Sequence, residues 1–299
     1  MLFRSSSELD LRRQSDTEDF FFSERPEIVI LAAARVGGIK ANNERPADFI
    51  FENLQIESNV IDAAFRFGCR RLVFLGSSCI YPKFAPQPLK EEYLLTGPLE
   101  PTNDAYAVAK IAGIKMCQAL RRQYGFDAVS LMPTNLYGPG DNFDLENSHV
   151  LPALLRKFVE ARDAGCPSVT IWGSGRPRRE FLYVDDLARA VVFVLETSTE
   201  SIHEASHNGV LNVGTGIDLS ILDLAEMISD VVGYRGDLEF DVAQPDGTPR
   251  KLLDVSRLAH AGWTATTDLK TGIRLTLDWY LENLAPFFLA DNEPRQGNA

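Results

Sequence analysis

Tyr106 and Lys110 lie four positions apart in a segment whose pattern predicts a helix. Residues at this spacing share a helix face, so we expect the phenol and the ammonium to point into the same space. A neighbouring cation favours phenolate and would lower the pKa of the tyrosine from about 10. Such a tyrosine exchanges a proton with a carbonyl oxygen near neutral pH. Alone, the spacing fits a solvated helix face equally well.

A serine-rich turn supplies the context. Gly76, Ser77, Ser78 and Cys79 follow an apolar run that predicts a buried strand. A hydroxyl at the carboxyl end of this strand would donate to the same carbonyl oxygen and stabilise a developing oxyanion. The alternative is a turn closed by serines. A serine after a strand followed by Tyr-x-x-x-Lys on the next long helix resembles the extended branch of the short-chain dehydrogenase/reductase superfamily.

The elements that must position these residues alternate along the chain. Short apolar runs are separated by helical patterns, which indicates βαβ units around a parallel sheet with ligands at the carboxyl ends of the strands. We therefore predict an α/β fold with a doubly wound parallel sheet. The predicted strands are 27–34, 71–76, 126–132, 169–172 and 210–213, and the predicted helices are 46–67, 104–124 and 220–232.

Composition excludes several classes of protein. The chain has 299 residues and a formal net charge of −12, which argues against a nucleic-acid partner. Its four cysteines include no C-x-x-C pair, so we expect no metal site and no disulfide framework, as in a reducing cytoplasm. No apolar run is long enough for a membrane span.

Several longer strings resemble the GDP-L-fucose synthase family. Its members are bifunctional enzymes that epimerise GDP-4-keto-6-deoxy-D-mannose at C3 and C5 and then reduce the C4 ketone. The resemblance runs from about Glu8 to the helix near Trp279. The strings are 75–83 (LGSSCIYPK), 99–103 (LEPTN), 106–114 (YAVAKIAGI), 132–139 (MPTNLYGP), 147–155 (NSHVLPALL) and 245–251 (PDGTPRK).

The resemblance implies five catalytic residues. Cys79 and His149 would form the acid/base pair of epimerisation, because protons alpha to the ketone leave an enolate whose charge rests on the C4 oxygen. Tyr106 would protonate that oxygen, Ser77 would hydrogen-bond to it, and Lys110 would tune the phenol and hold the nicotinamide ribose. Without the family motifs, Cys79 would be interpreted as a small buried hydrophobe and His149 as a loop or helix-cap residue.

The family also implies the ligands and the domains. The cofactor would be NADP and the substrate a GDP-sugar. By analogy with the family, we expect the chain to form a homodimer. Residues 1–145, with a return segment at about 180–216, would form an NADP-binding Rossmann-like domain, and 146–299 a smaller, mainly substrate-binding domain. Expected cofactor contacts are Arg4, Leu75, Gly76, Ser77, Ser78, Lys110, Pro133, Thr134, Asn135, Leu136 and His149; expected substrate contacts are Lys157, Trp172, Arg179 and Asp246, with Arg250 and Lys251 as weaker additions.

One family feature is missing from the sequence. No glycine precedes Gly37, so there is no G-x-x-G-x-x-G turn for a pyrophosphate. We therefore expect the chain to begin near the family's second strand, at residues 1–4, as a truncated Rossmann domain that binds NADPH weakly; the alternative is a shortened gene model. Two other readings stay open: a related nucleotide-sugar epimerase or dehydratase, and a catalytically impaired homologue that binds nucleotide sugar or a partner subunit.

Overall fold

The computed structural model describes residues 2, 4–145, 148–244 and 246–285. Met1 and Phe3 of the strand expected at residues 1–4, and Asn147 and Pro245 of the family strings, lie outside the described residues. The strands are β1 (Ile28–Leu31), β2 (Arg71–Leu75), β3 (Ala128–Pro133), β4 (Asn135–Tyr137), β5 (Ser168–Trp172), β6 (Arg178–Tyr183), β7 (Val210–Val213), β8 (Asp218–Ser220), β9 (Asp237–Asp241) and β10 (Arg250–Lys251). The helices are α1 (Gln14–Glu24), α2 (Ile39–Glu44), α3 (Pro46–Arg66), α4 (Asp104–Tyr124), α5 (Val150–Asp163), α6 (Val184–Glu196), α7 (Thr199–Ala205), α8 (Ile221–Val232), α9 (Ser256–His260) and α10 (Leu269–Asn283).

The main sheet is parallel and has the order β1-β2-β3-β7. Alternate residues of its strands face two different cores. Phe74 packs with α3 and α4 on one side, whereas Val73 packs with α6 on the other. Burial on both faces explains why these strands are nearly continuous apolar runs. The prediction of a doubly wound parallel α/β fold is confirmed.

Helices α3 and α4 pack closely on the main sheet. Gly113 makes this possible, because a Cβ at this position would lie 2.7 Å from the ring of Phe74. Helix α4 ends at Gly125, whose left-handed backbone (φ 73°) is a common way to end a helix. The predicted bounds of α4 are confirmed, and those of α3 are confirmed to within one residue.

A second group of elements carries the later part of the chain. Strands β10, β6 and β4 are parallel, β8 pairs antiparallel with β6, and β5 pairs with β9. Helices α5, α8 and α10 enclose a separate apolar core against these strands. Ser220 and Asp223 form a capping box that starts α8. None of the helices in the described ranges is long and apolar enough to cross a membrane.

Two expectations about the beginning of the chain are wrong. The predicted strand at 27–34 is only four residues long, and Ala32 and Ala33 lie exposed beyond its end. Leu2 and Arg4 belong to no strand. Strand β1 pairs with β2 alone. An extended segment needs a neighbouring strand to receive its backbone hydrogen bonds, and no described strand lies on the other side of β1.

Candidate active site

Cys79 lies in a single 3-10 turn, Ser78–Ile80, directly after β2. The Ser77 hydroxyl accepts a hydrogen bond from the Cys79 backbone N–H at 3.2 Å, which fixes the start of this turn. Lys251 on β10 and Asn103 at the start of α4 approach the thiol from other elements. The Lys251 Nζ and the Asn103 Nδ2 each donate to Cys79 Sγ at 3.4 Å. The sulfur is therefore surrounded by hydrogen-bond donors.

These donors change the acidity of the thiol. Burial by itself would raise the pKa of Cys79, but the positive charge of Lys251 and the hydrogen bonds from Ser77, Lys251 and Asn103 outweigh burial and lower it. A thiolate is a far better base and nucleophile than a thiol. The arrangement thus prepares Cys79 to accept a proton.

Tyr106 lies on the first turn of α4, with its ring packed edge-on against Phe49. Ser77 is within hydrogen-bonding reach of the phenol, as expected from the sequence. The expected low phenol pKa is wrong, however. Burial raises the pKa of Tyr106, and the nearby negative charges of Cys79 and Glu57 raise it further, against the opposing effect of Ser77. Tyr106 is therefore a neutral proton donor at pH 7.

Lys110 explains why the phenol is not acidified. Its ammonium lies 6.0 Å from the centroid of the Tyr106 ring and donates to the Leu75 carbonyl oxygen at 3.0 Å. It also pairs with Glu57 on α3, with 3.1 Å between Nζ and Oε1. Burial lowers the pKa of Lys110, and Glu57 works against that effect. The ammonium is thus paired with Glu57, and burial remains the main cause of the raised phenol pKa.

His149 occupies the position just before α5 and is exposed to solvent. The surrounding protein partly desolvates the ring and lowers its pKa; Asp141 opposes this effect, and Lys251 reinforces it. Lys251 therefore interacts electrostatically with both His149 and Cys79.

The expected substrate contacts form two groups. The Lys157 Nζ lies 5.2 Å from the centre of a Trp172 ring and donates to the Thr170 carbonyl oxygen at 3.1 Å. Trp172 is half-exposed, which leaves a flat ring face open to solvent. Arg179 on β6 interacts electrostatically with Cys79 and with Asp246. Both groups lie on the second set of elements.

Asp246 closes a turn rather than projecting freely. Its carboxylate accepts from the Ser174 backbone N–H at 2.6 Å and from the Ser174 hydroxyl at 2.8 Å. It is still close enough to Arg179 for their charges to interact. We infer that Asp246 mainly holds the loop after β5 in place.

The expected cofactor contacts lie at the carboxyl edge of the main sheet. Leu75 ends β2, and Gly76 follows it and donates its backbone N–H to the Leu131 carbonyl oxygen of β3. Ser78 is buried in the turn after β2, Pro133 ends β3, and Leu136 lies in β4.

Thr134 and Asn135 turn inward at this edge. Their side chains donate to the Glu180 carbonyl oxygen at 3.1 and 2.7 Å and thereby join β4 to β6. Beside this edge, Ala32 and Ala33 leave an exposed path with small side chains. The phenol, the ammonium and this open path fit the nicotinamide-ribose end of a dinucleotide.

Arg4 lies apart from these residues. Its guanidinium pairs with Glu24 of α1, with 3.3 Å between Nη2 and Oε1, and stacks over Phe20.

Sequence reasoning missed Glu57 and gave Asn103 no role. A charged residue on the apolar face of α3, between Ile56 and Val60, was the available signal for Glu57. Asn103 belongs to a family string, but its contact with the Cys79 sulfur depends on how the loop before α4 folds back.

Comparisons with known proteins agree with one another. The model of the NAD dependent epimerase/dehydratase family matches residues 4–214. The putative GDP-L-fucose synthase 2 of Arabidopsis thaliana is 58% identical over 284 residues, covering 95% of this chain and 84% of the relative. The GDP-L-fucose synthase of Escherichia coli K12 is 55% identical over 285 residues, covering 95% and 89%. A crystal structure of a GDP-L-fucose synthetase from Naegleria fowleri bound to NADP superposes with a TM-score of 0.83 at 28% identity, covering 94% of this chain and 85% of that one.

Proposed function

The chain belongs to the NAD dependent epimerase/dehydratase family and, within it, to the GDP-L-fucose synthases, and on that premise we propose how its residues convert GDP-4-keto-6-deoxy-D-mannose to GDP-L-fucose with NADPH. The observation that carries the proposal is the meeting of two proton-transfer groups at the end of β2. Cys79, with a lowered thiol pKa, and Tyr106, with a raised phenol pKa, both lie beside Ser77. One group is suited to take a proton and the other to give one.

Cys79 is the base of epimerisation in this proposal. Its thiolate removes a proton from C3 or C5, each of which is alpha to the C4 ketone, and the electron pair moves onto the C4 oxygen. His149 returns a proton to the opposite face of the same carbon. Lys251 supports this step because its charge favours the thiolate. The same pair serves both carbons if the sugar shifts between the two epimerisations.

Tyr106 and Ser77 hold the C4 oxygen through both halves of the reaction. Their hydroxyls donate to the oxygen while enolate charge develops on it, which is the usual role of an oxyanion site. When bound, NADPH would supply the hydride that reduces C4. Tyr106 then gives its proton to the C4 oxygen as the ketone becomes an alcohol. A phenol that stays neutral at pH 7 is ready for that transfer.

Lys157, Trp172 and Arg179 are proposed to bind the nucleotide part of the substrate. Arginine and lysine suit a diphosphate, and an open indole face suits a planar base. Asp246 contributes by holding the Ser174 turn beside Arg179. Leu75, Ser78 and the segment 133–136 are proposed to line the nicotinamide, and Lys110 to hold its ribose.

A homodimer is proposed from an apolar surface on α3 and α4. Phe51, Leu54 and Val108 are 62%, 37% and 44% exposed, and they lie on two long helices that already pack side by side. A symmetric four-helix contact with a second copy would cover them. Light scattering should give twice the chain mass, and Phe51→Glu should give the monomer. The four free cysteines further favour a reducing compartment, for which we propose the cytoplasm.

Incubation with the keto sugar and NADPH tests the catalytic proposal. Proton NMR in D₂O follows exchange at C3 and C5, and the loss of NADPH absorbance follows reduction. Formation of GDP-L-fucose supports the proposal, exchange without reduction leaves only the epimerase half, and no turnover of any kind refutes it. A separate fluorescence titration measures the affinity of the chain for NADPH.

A further inference from the structure

Glu57 is a buried carboxylate in the packed interface between α3 and α4. Its side chain is 2% exposed, and its charged partner is Lys110, 3.1 Å away. Neither carboxylate oxygen has a further hydrogen-bond donor among the described residues. A Cβ on Gly113 would lie 2.8 Å from Oε2, so the carboxylate occupies space that the glycine leaves.

A buried carboxylate with a single charged partner stabilises the contact between two helices poorly. Desolvation of a charge costs several kcal/mol, and an apolar side chain of similar size would pack at that position without this cost. Burial raises the pKa of Glu57 to about 7, although Lys110 opposes the shift. The buried pair is therefore better explained by an effect of Glu57 on Lys110 than by a gain in the stability of the fold.

The charged and titratable groups facing Glu57 all lie on α4. Among the residues that the structure describes, they are Lys110, Tyr106 and Cys117. Strand β2 presents the ring of Phe74 to the same space. Removal of the carboxylate would therefore leave Lys110 over an aromatic ring, with only the Leu75 carbonyl oxygen as acceptor.

We propose that Glu57 is a positioning residue for the reductive half of the reaction. Its carboxylate keeps Lys110 protonated and, together with the Leu75 carbonyl oxygen, holds the ammonium at the end of β2, where it can donate a hydrogen bond to a bound ribose. The inference rests on the proposed function, because it assigns Glu57 to the reduction and not to the epimerisation. Glu57 touches neither reacting atom and acts through Lys110.

Glu57→Gln tests the proposal through pH profiles. Without the carboxylate, the pKa of Lys110 falls further, by roughly 1–3 units for the loss of an adjacent opposite charge. The alkaline decline of the reduction rate should therefore move to lower pH. At pH 8, we expect kcat for reduction to fall about 10- to 100-fold, while KM for the GDP-sugar and the rate of exchange at C3 and C5 stay within about twofold. NADPH affinity, measured by fluorescence, should also begin to decline at a lower pH in the variant; we call this decline the alkaline limb of the profile.

Two further variants make the result decisive. Asp62→Asn removes a carboxylate from the same helix, where Asp62 pairs with Arg66 at the surface, and should leave both profiles unchanged. Glu57→Asp keeps the charge but withdraws it from Lys110, so it should give a smaller displacement in the same direction, and it decides the question if Glu57→Gln does not fold.

A purely structural Glu57 would lower the unfolding midpoint and leave both alkaline limbs in place, which would overturn the proposal. If the wild-type chain forms no GDP-L-fucose, the proposed function fails. The pH dependence of NADPH binding then still tests whether Glu57 controls the protonation of Lys110. Displacement of that limb in Glu57→Gln supports the inference in either case.

Discussion

Two lysines each lie near a catalytic acid, Lys251 near the Cys79 thiol and Lys110 near the Tyr106 phenol, yet the pKa values of the two acids shift in opposite directions. Lys251 donates to the Cys79 sulfur, and the pKa of the thiol is lowered. Lys110 lies one helical turn from Tyr106, yet the pKa of the phenol is raised. The two lysines differ in distance and in pairing. Lys251 contacts the sulfur, whereas Lys110 lies 6.0 Å from the centroid of the phenol ring and is paired with Glu57, so burial dominates the phenol pKa. Among the described residues, Lys251 forms no ion pair with a carboxylate.

The comparison teaches that a lysine lowers the pKa of a buried acidic group when it contacts that group directly, and has no such effect when it is more distant and already paired with a carboxylate. It also fits the chemistry of each region. The thiol region needs a base for carbon acids, and the phenol region needs a proton donor for an oxyanion. The two lysines would serve these opposite needs in a site where both regions contact Ser77.

Substitution of the two acidic groups themselves should have the largest effect. Cys79→Ser should slow proton exchange at C3 and C5 by about 10²- to 10⁴-fold, because a serine hydroxyl is a far weaker base than a thiolate. Tyr106→Phe should slow NADPH oxidation by a similar factor and slow the exchange less, because Ser77 still donates to the C4 oxygen. NMR in D₂O and NADPH absorbance measure the two rates, and an equal loss of both rates in Tyr106→Phe would contradict the division of labour.

A third charge cluster, remote from the site, shows whether such effects are local. Arg71 is buried and donates to Asp127 at 2.7 Å; Thr199 and His203 also contact this carboxylate. Asp127→Asn removes the carboxylate beside the buried guanidinium, which keeps its hydrogen bonds to Thr199 and to backbone carbonyl oxygens. Loss of one partner of a buried ion pair should destabilise the fold by about 3–5 kcal/mol, without moving the pH dependence of either reaction. Urea unfolding measures the change.

The pH dependence of that destabilisation has a defined sign. Burial alone would raise the pKa of Asp127, but its hydrogen bonds and the charge of Arg71 lower it to about 2 in the folded state. The unfolded value is about 4. The stabilisation is thus complete above pH 4 and is lost as the pH falls toward 2, so the gap between wild type and Asp127→Asn should narrow over that interval.

Removal of the Lys251 charge should leave Cys79, like Tyr106, with a raised pKa. Lys251→Met leaves burial as the dominant effect on Cys79 and should raise the thiol pKa. Each unit of increase cuts the thiolate fraction near pH 7 about tenfold, so exchange should fall roughly 10- to 100-fold at pH 7 and recover at higher pH. Iodoacetamide reactivity against pH measures the thiol directly. An unchanged reactivity profile would show that Lys251 does not set the acidity of Cys79.

Asn103→Ala should have the smallest effect. It removes one neutral donor at 3.4 Å from Cys79 Sγ and leaves the charge of Lys251 in place. A net hydrogen bond contributes about 1 kcal/mol, so exchange should slow roughly fivefold with only a slight rise in the thiol pKa. A loss as large as that of Lys251→Met would mean that the hydrogen bond, and not the charge, governs the thiol.

The sequence predicted much of the scaffold because its signals are local. Helix α4 was predicted with its observed bounds, since Asn103, the apolar period and Gly125 mark its beginning, its face and its end. The prediction for β1 is too long, because the apolar run continues to Ala34 whereas the pairing of β1 with β2 ends at Leu31. The family strings identified the enzyme class, and the relatives confirm it.

The sequence by itself determined which groups could do chemistry: the spacing of Tyr106 and Lys110, and the serines and cysteine after a strand. Only the tertiary structure decided their protonation. Glu57 lies 53 positions before Lys110, and Lys251 lies 172 positions after Cys79. Acidity depends on the burial and charge within a few ångströms of a group, and folding brings those charges from anywhere in the chain.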